Sequence, residues 1–379
     1  MAGHYWLKTG STLQRAAGLQ PAEEAPSTAA TQGLASASVG ITACQLQTGR
    51  TLQRAADLQP AEEAPSTAAT QELANASGGI TPCQLKTGRT FLFILQAARP
   101  GFWLTAIWFY LLPVAQQPVW NSPAFWLGVF FVSFPFGLLI YGWNDIVDRE
   151  NDRCNARKGS FLFGARGTDA QLRRLPWTIA LVHLPFVVLF AGWLGPKMLG
   201  WYAALIGATA LYNLPRYGFK NFPVVDVLNQ CAYGLVFYLS STINHVPPLP
   251  WPTMIFGVMF AMHSHLLGEV MDLEPDRLAG RRTTALLIGA VPTKLVIAAF
   301  LATEAWLVNH AFGDRVITTF LVCGTGWFVC DAVFFRARPY PEWLARLFLL
   351  GWNVVALASA WYVWSSGALT TVGGIIIGR

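Results

Sequence analysis

Long apolar runs separated by short polar loops dominate the sequence from about residue 99 onward. Each run approaches the roughly 20 residues that a helix needs to cross the hydrocarbon core of a bilayer. The pattern therefore predicts an all-α integral membrane protein with about nine transmembrane helices. The predicted spans are 99–117, 123–143, 174–194, 197–213, 224–243, 252–271, 285–308, 315–335 and 344–366.

The composition of the chain supports this prediction. Hydrophobic residues make up 54% of the sequence and charged residues only 12%, which is about half the charged fraction of a typical soluble domain. The formal net charge of +6 could indicate a nucleic-acid partner. The basic residues lie in short loops between apolar runs, however, so membrane topology explains them better and we expect no nucleic-acid partner. The six cysteines form no CxxC motif and no cluster with histidine at metal spacing, so we infer no disulfide framework.

Lysine and arginine are distributed unevenly between the loops. The loops after the second, fourth, sixth and eighth predicted spans carry clusters of basic residues, whereas the loops between them carry one or none. Cytoplasmic loops of membrane proteins are enriched in these residues. The pattern therefore predicts that the N-terminus and the basic loops lie in the cytoplasm and that the C-terminus lies outside.

The N-terminal part of the chain contains a tandem repeat. Residues 7–45 and 46–84 are near-identical copies of 39 residues, and a third copy begins at Leu85. A period of this length can indicate a solenoid. These units are rich in Ala, Ser, Thr, Gln and Pro and have too few large apolar residues to form a core. We therefore expect a mostly disordered, low-complexity tail over residues 1–90 and a membrane domain over residues 91–379.

Two acidic clusters with the same i, i+3, i+7 spacing lie at the predicted cytoplasmic ends of apolar spans. The first acidic cluster is Asp145, Asp148 and Asp152, and the second is Glu269, Asp272 and Asp276. On a helix this spacing places three side chains on one face. Carboxylates next to hydrocarbon are costly and usually functional, so a cation should neutralise them. Magnesium takes carboxylates together with phosphate oxygens and water, so two facing clusters would hold a diphosphate between metal ions.

Basic side chains in the same loops could complete the charge balance around a diphosphate. These residues are Arg153, Arg157, Lys158, Lys220, Arg281 and Arg282. A simpler interpretation is that the acids pair with adjacent arginines in solvated loops, but two clusters of matched spacing favour a functional site. His263 and His265 are i, i+2 and face different ways on a helix, which disfavours a metal pair. They could line an acceptor pocket or be ordinary polar helix positions.

These motifs resemble those of a known family. The segment from Asn144 to Asp152 reads NDIVDREND and resembles the first aspartate-rich motif, NDxxDxxxD, of the UbiA superfamily of intramembrane prenyltransferases. The segment 272–277, followed by 280–284, resembles the second motif and the GxxT stretch after it. The pair Arg99 and Pro100 resembles the start of the first helix of the family. The segment 212–220 and Asp226 resemble its loop between helices four and five, and the resemblance covers about residues 95–366.

The resemblance implies a nine-helix bundle around a central cavity that opens sideways to lipid. It implies that Mg²⁺ joins the diphosphate of an allylic prenyl donor to five carboxylates, four of which would be catalytic. The metal ligands would be Asp145, Asp148, Asp152, Asp272 and Asp276, and the catalytic residues would be the same set without Asp152. Asn144 would help to position the site, Glu269 would contribute to substrate binding, and Lys220 and the arginines would bind phosphate oxygens. The activity implied is transfer of an alkyl group other than methyl to a lipophilic acceptor, which could be aromatic, a quinone precursor, a chlorin or a polyisoprenoid.

The sequence departs from the family pattern at two places. Many members follow the first motif with an Arg-Pro-Leu-Pro-like stretch, where this chain has Asn155 to Gly159, and many have Asp at the position of Glu269. These departures favour polyisoprenoid, carotenoid or chlorin acceptors over hydroxybenzoate. A terpene cyclase of the same fold and a cation-coupled lipid or solute transporter are the alternatives. Transporters often have a pair of helices that are interrupted at the bilayer midplane. The sequence shows no convincing pair of this kind, so it does not favour a transporter.

Overall fold

The computed structural model describes residues 82–155, 157–215 and 217–370. Within these ranges the chain is helical, and its one β-type pairing is an isolated antiparallel bridge between Ser160 and Gly164. The helices are α1 (Pro82–Ala97), α2 (Trp103–Leu111), α3 (Pro123–Val147), α4 (Arg149–Cys154), α5 (Asp169–Leu194), α6 (Lys197–Asn213), α7 (Val225–Leu228), α8 (Gly234–Ile243), α9 (Trp251–Leu278), α10 (Thr284–Ile288), α11 (Ala290–Phe312), α12 (Arg315–Cys330) and α13 (Glu342–Ser366). Residues 1–81 lie outside the described residues, so the disordered tail stays a prediction. Helix α1 starts before the predicted domain boundary at residue 90.

Seven helical segments within the described residues are long and apolar enough to cross a membrane. They are Thr90–Val114, Pro123–Val147, Asp169–Leu194, Trp251–Leu278, Ala290–Phe312, Arg315–Phe335 and Glu342–Ser366. Two further predicted spans are also helical, but α6 has only 17 residues. The other, predicted over 224–243, is divided into α7, a 3-10 turn and α8, which together cover 225–243. The membrane class is confirmed, whereas the count of nine spans stays a prediction.

Aromatic side chains fill the interior where α2, α8, α9 and α13 meet. Phe109 stacks on Phe237 with ring centroids 5.2 Å apart, and Trp108 stacks on Phe260 at 5.1 Å. Phe260 also stacks on Trp352 of α13 at 5.0 Å. Stacked and edge-on aromatic contacts add specific geometry to the burial of large apolar surface. We call these five rings the aromatic wall.

A loop between α4 and α5 folds back on the start of the bundle. The Gly101 N–H donates to Phe161 O at 3.1 Å, and the loop is closed by the bridge at Ser160. Gly164 has a φ of +99°, and a Cβ there would lie 2.7 Å from Arg99 Nε. Glycine is therefore required, because it allows both the left-handed backbone and the close approach of Arg99. This packing places Arg157 and Lys158, at the start of the loop, next to the acidic clusters.

Candidate active site

The first acidic cluster spans a helix end rather than one continuous helix, which corrects the sequence-based expectation. Helix α3 ends at Val147, Asp148 has φ −87° and ψ 9°, and α4 begins at Arg149. Hydrogen bonds of 2.8 Å from Asp148 N to Asn144 O and from Asp152 N to Asp148 O nevertheless keep the i to i+4 connection. The three acids therefore remain neighbours across the break.

Asp145 is held by two basic side chains. It is 2% exposed, and its Oδ1 accepts hydrogen bonds from Arg99 Nη2 at 2.9 Å and Lys158 Nζ at 2.5 Å. Lys158 Nζ also lies 2.8 Å from Asp152 Oδ2, so one ammonium group stands between two carboxylates of the cluster. Burial raises the pKa of Asp152 above its ordinary value despite the charge of Lys158.

Asp148 is held by a second pair of cations. It is 3% exposed, and it contacts Lys220 Nζ at 2.6 Å and Arg281 Nη2 at 2.5 Å. Burial alone would raise the pKa of Asp148, but the charges of Arg281 and Lys220 outweigh it and hold that pKa below its ordinary value. Lys220 Nζ also donates to Asn213 Oδ1 at 3.2 Å and Asn144 Oδ1 at 3.4 Å. Asn144 therefore positions Lys220 rather than standing alone.

The second acidic cluster lies on α9 and meets the first through arginine. Arg281 Nη1 lies 3.5 Å from Asp276 Oδ1 while its other nitrogen binds Asp148. Arg157 forms an ion pair with Asp272, whose side chain is 37% exposed. The structure thus brings Asp272 and Asp276 to the same end of the bundle as the first cluster.

Glu269 does not share the surroundings of Asp272 and Asp276. Its Oε2 accepts from the Ala285 N–H at 2.9 Å, and its Oε1 lies 3.1 Å from His265 Nε2. Nearby, Asp226 accepts from the N–H of Thr284 at 2.7 Å and from the hydroxyl of the same residue at 2.5 Å. Matched spacing along the sequence therefore does not give three equivalent carboxylates on α9.

The remaining predicted site residues differ in where they lie. Arg282 is exposed and makes no hydrogen bond or ion pair with any described residue, so the structure does not bring it to the carboxylates. The side chain of Arg153 lies outside the described residues. Sequence reasoning did not identify Arg99 as a partner of Asp145, although its place before Pro100 was a signal. The two histidines have separate partners, because His265 lies beside Glu269 and His263 binds Glu304.

The donor set at this end of the bundle fits Mg²⁺. Asp145 Oδ2 is buried and has no hydrogen-bond partner among the described residues, which leaves one carboxylate oxygen available. Oxygen ligands from carboxylates are those that magnesium prefers. No three Asp, Glu, His or Cys side chains in the described ranges converge as ready metal ligands. Instead, basic side chains lie between the carboxylates, and Lys158 contacts both Asp145 and Asp152.

The fold and the site define an intramembrane helical protein with paired acidic clusters at one end. The chain matches the UbiA prenyltransferase family over residues 102–355, and it belongs to that family. It is 28% identical over 255 residues to a lycopene elongase/hydratase of Corynebacterium glutamicum, covering 63% of this chain and 86% of that protein. A lycopene elongase/hydratase of Halobacterium salinarum is 31% identical over 208 residues, covering 53% of this chain and 72% of the relative.

Solved structures share the fold. A UbiA homolog from Archaeoglobus fulgidus bound to GPP and Mg²⁺ has a TM-score of 0.51 at 18% identity, covering 72% of this chain and 99% of that chain. The same homolog bound to DMAPP and Mg²⁺ has a TM-score of 0.50 at 20% identity, with the same coverage. At these identities the likeness shows the fold alone.

Proposed function

We propose that this protein transfers a prenyl group from an allylic diphosphate to a lipophilic acceptor in a Mg²⁺-dependent reaction that releases diphosphate. The observation that carries the proposal is the pairing of two acidic clusters through Arg281, which lies 2.5 Å from Asp148 and 3.5 Å from Asp276. Carboxylates and cations are concentrated at the same end of an apolar bundle. That combination suits a substrate with a charged head and a hydrocarbon tail.

The carboxylates would hold magnesium, and the basic residues would hold the diphosphate. The proposed metal ligands are Asp145, Asp148, Asp152, Asp272 and Asp276. Bound metal would neutralise the charge that develops on the leaving diphosphate. Lys158, Lys220, Arg157 and Arg281 would donate to phosphate oxygens once those anions compete for them. Glu269 acts in this proposal by holding the Ala285 N–H, and thus the backbone that follows Arg281.

Aromatic side chains lie directly behind the charged end. Tyr141 precedes Asp145 by one helical turn, about 6 Å, and its hydroxyl lies 3.2 Å from that of Tyr233. Ionisation breaks the C–O bond of the donor, and both electrons leave with the diphosphate. Aromatic faces stabilise the allylic cation that remains, and the apolar surroundings keep water away from it. The acceptor then supplies the electron pair for the new C–C bond.

An acyclic polyisoprenoid or carotenoid is the acceptor that we propose. Two kinds of observation support it: the relatives are named lycopene elongase/hydratase, and the segment 155–159 departs from the stretch typical of many other members. We also propose that the acidic clusters face the cytoplasm, because the basic loops lie on their side of the predicted topology.

A reconstituted assay tests the proposal. The purified chain in lipid vesicles would receive Mg²⁺ and dimethylallyl, geranyl, farnesyl or geranylgeranyl diphosphate. Each donor would be paired with lycopene, a phenol, a quinone precursor or a chlorin. We expect one diphosphate released for each prenylated acyclic carotenoid, and no reaction when Mg²⁺ is chelated. A prenyl-derived cyclic product without acceptor would identify a cyclase, and the absence of diphosphate release with every donor would refute the proposal.

A further inference from the structure

A histidine and a glutamate form a buried pair inside the bundle, away from the two acidic clusters. His263 of α9 is 5% exposed and Glu304 of α11 is fully buried. His263 Nδ1 lies 3.0 Å from Glu304 Oε1, across two helices that pack side by side. Ionisable side chains inside a membrane protein are costly and usually functional. Binding and ionisation of the prenyl diphosphate, as proposed above, do not involve this pair.

The pair lies deeper in the membrane domain than the acidic clusters, where a lipophilic acceptor would bind. His263 precedes Glu269 by six residues and Asp272 by nine on the same continuous helix. At 1.5 Å per residue, it lies about 9 Å and about 13.5 Å further into the bundle than these two acids. The pair therefore lies deeper in the apolar interior than the proposed donor site, on the side from which a lipophilic acceptor would approach.

The imidazole also lies against the aromatic wall. Phe260 meets His263 edge-on with ring centroids 5.4 Å apart, and the same phenyl ring stacks on Trp108 and Trp352. One ring of the aromatic wall, Phe260, thus contacts this histidine directly. A proton acceptor at this position would lie next to a ring that can stabilise a cation on the acceptor.

The hydrogen bond between His263 and Glu304 leaves the second imidazole nitrogen, Nε2, free to accept a proton. A neutral imidazole that donates from Nδ1 to Glu304 keeps its lone pair on Nε2. The structure gives Nε2 no hydrogen bond with any described residue, and Glu304 Oε2 is a buried oxygen without a partner in the same ranges. A carboxylate on one nitrogen orients the ring and stabilises the imidazolium that forms when the other nitrogen takes a proton.

We propose that His263 is the base that takes up the proton lost by the acceptor and that Glu304 positions it, an inference that rests on the proposed function. The π electrons of the terminal acceptor double bond form the new C–C bond to the allylic cation and leave a tertiary cation. A neighbouring C–H bond then breaks. Its electron pair forms a new double bond, and its proton passes to His263 Nε2. Where water adds to the tertiary cation instead, the same nitrogen takes the proton from the added water.

The test measures two outputs in one sample of the reconstituted full-length protein. With dimethylallyl diphosphate, Mg²⁺ and lycopene, released diphosphate is counted against elongated plus hydrated carotenoid. For His263→Gln we expect diphosphate release within about threefold of wild type and carotenoid product about 100-fold lower, the contribution typical of a general base. A tertiary cation that cannot lose its proton would revert, by breaking the new C–C bond, to lycopene and the allylic cation, which water would capture as dimethylallyl alcohol. For Glu304→Gln we expect a drop of about tenfold in the same ratio.

His183→Gln is the matched control, because His183 is also buried in a membrane helix but binds a backbone oxygen, Pro135 O, at 2.9 Å. Its ratio of carotenoid product to released diphosphate should equal that of wild type.

Wild-type ratios in His263→Gln and Glu304→Gln would overturn the inference and leave the proposed function intact. Loss of diphosphate release from a folded His263→Gln would overturn it too, since ionisation needs no base here. If His263→Gln does not fold, an unchanged ratio in Glu304→Gln overturns it. A wild-type protein that releases diphosphate but makes no carotenoid product overturns the proposed function and the inference together.

Discussion

The two acidic clusters have identical spacing in the sequence and different surroundings in the structure. Asp145 and Asp148 of the first cluster are 2% and 3% exposed, and each is bound by two basic side chains. In the second cluster Asp272 is 37% exposed on its side chain and has one arginine partner. Glu269 faces a backbone N–H and a histidine. The first cluster is therefore a buried charge network, and the second is a more open counterpart whose third acid has a different role.

Replacing Asp148 should have the largest effect. Asp148→Asn leaves Lys220 and Arg281 buried without their carboxylate, and breaking a buried ion pair typically costs about 3–5 kcal/mol. We expect diphosphate release to fall by at least about 1,000-fold, because a proposed metal ligand is lost together with the position of two cations. Release is measured in vesicles, and membrane insertion is checked by alkaline extraction.

Glu150→Gln is the control for Asp148→Asn. Glu150 lies within the first motif, but its side chain is 61% exposed and pairs with Arg149 at the surface. Diphosphate release from this variant should stay within about twofold of wild type, since exposed pairs contribute little. Near-wild-type release from Asp148→Asn would remove the first cluster from the mechanism.

Replacing Asp272 should reduce activity with little effect on stability. Asp272 contacts Arg157 with a side chain that is 37% exposed, so Asp272→Asn removes one ion pair and leaves the two ion pairs of Asp148 in place. We expect diphosphate release to fall about 100-fold while the thermal midpoint in detergent stays within about 2 °C, the range of a surface substitution. Glu274→Gln, at a 60% exposed position on the same helix, should change neither quantity. A large fall in midpoint for Asp272→Asn would show that the two clusters are structurally alike.

Replacing Glu269 should reduce stability more than activity. Glu269→Gln weakens the contacts to Ala285 and His265, and a buried acceptor lost in this way costs about 1–3 kcal/mol. We expect a clear fall in thermal midpoint and a fall of no more than about tenfold in diphosphate release. If release vanished at an unchanged midpoint, Glu269 would be equivalent to Asp272 after all.

Replacing Arg282 should have the smallest effect. Arg282 is exposed and has no partner among the described residues, whereas the adjacent Arg281 binds both clusters. Arg282→Ala should change the KM for the diphosphate donor by less than about threefold. A solvated charge that does not contact the carboxylates is largely screened by salt. Kinetics at low and high salt would show whether it steers the substrate. A rise in KM of tenfold or more would place Arg282 in the binding site.

The sequence predicted the features that depend on local order. Apolar runs located the membrane helices, because each helix satisfies its own backbone hydrogen bonds and must be predominantly apolar to lie in lipid. The acids at 145, 148, 272 and 276 were located by spacing alone. The break in α3 at Asp148 was missed, because spacing cannot distinguish one helix from two that share hydrogen bonds across a turn. Glu304 was also missed, although a single acid in an apolar run is itself a signal.

What the sequence determined by itself is the class of protein and the acidic and basic side chains that lie at one end of it. Hydrophobic length sets the membrane spans, and the motif residues set the family. Only the tertiary structure decided which charge meets which. Arg99 with Asp145, Arg281 with Asp148, and His263 with Glu304 are pairs from different segments of the chain. The physical reason is that spacing defines the direction of a side chain along its own helix, whereas its partner depends on how separate helices pack.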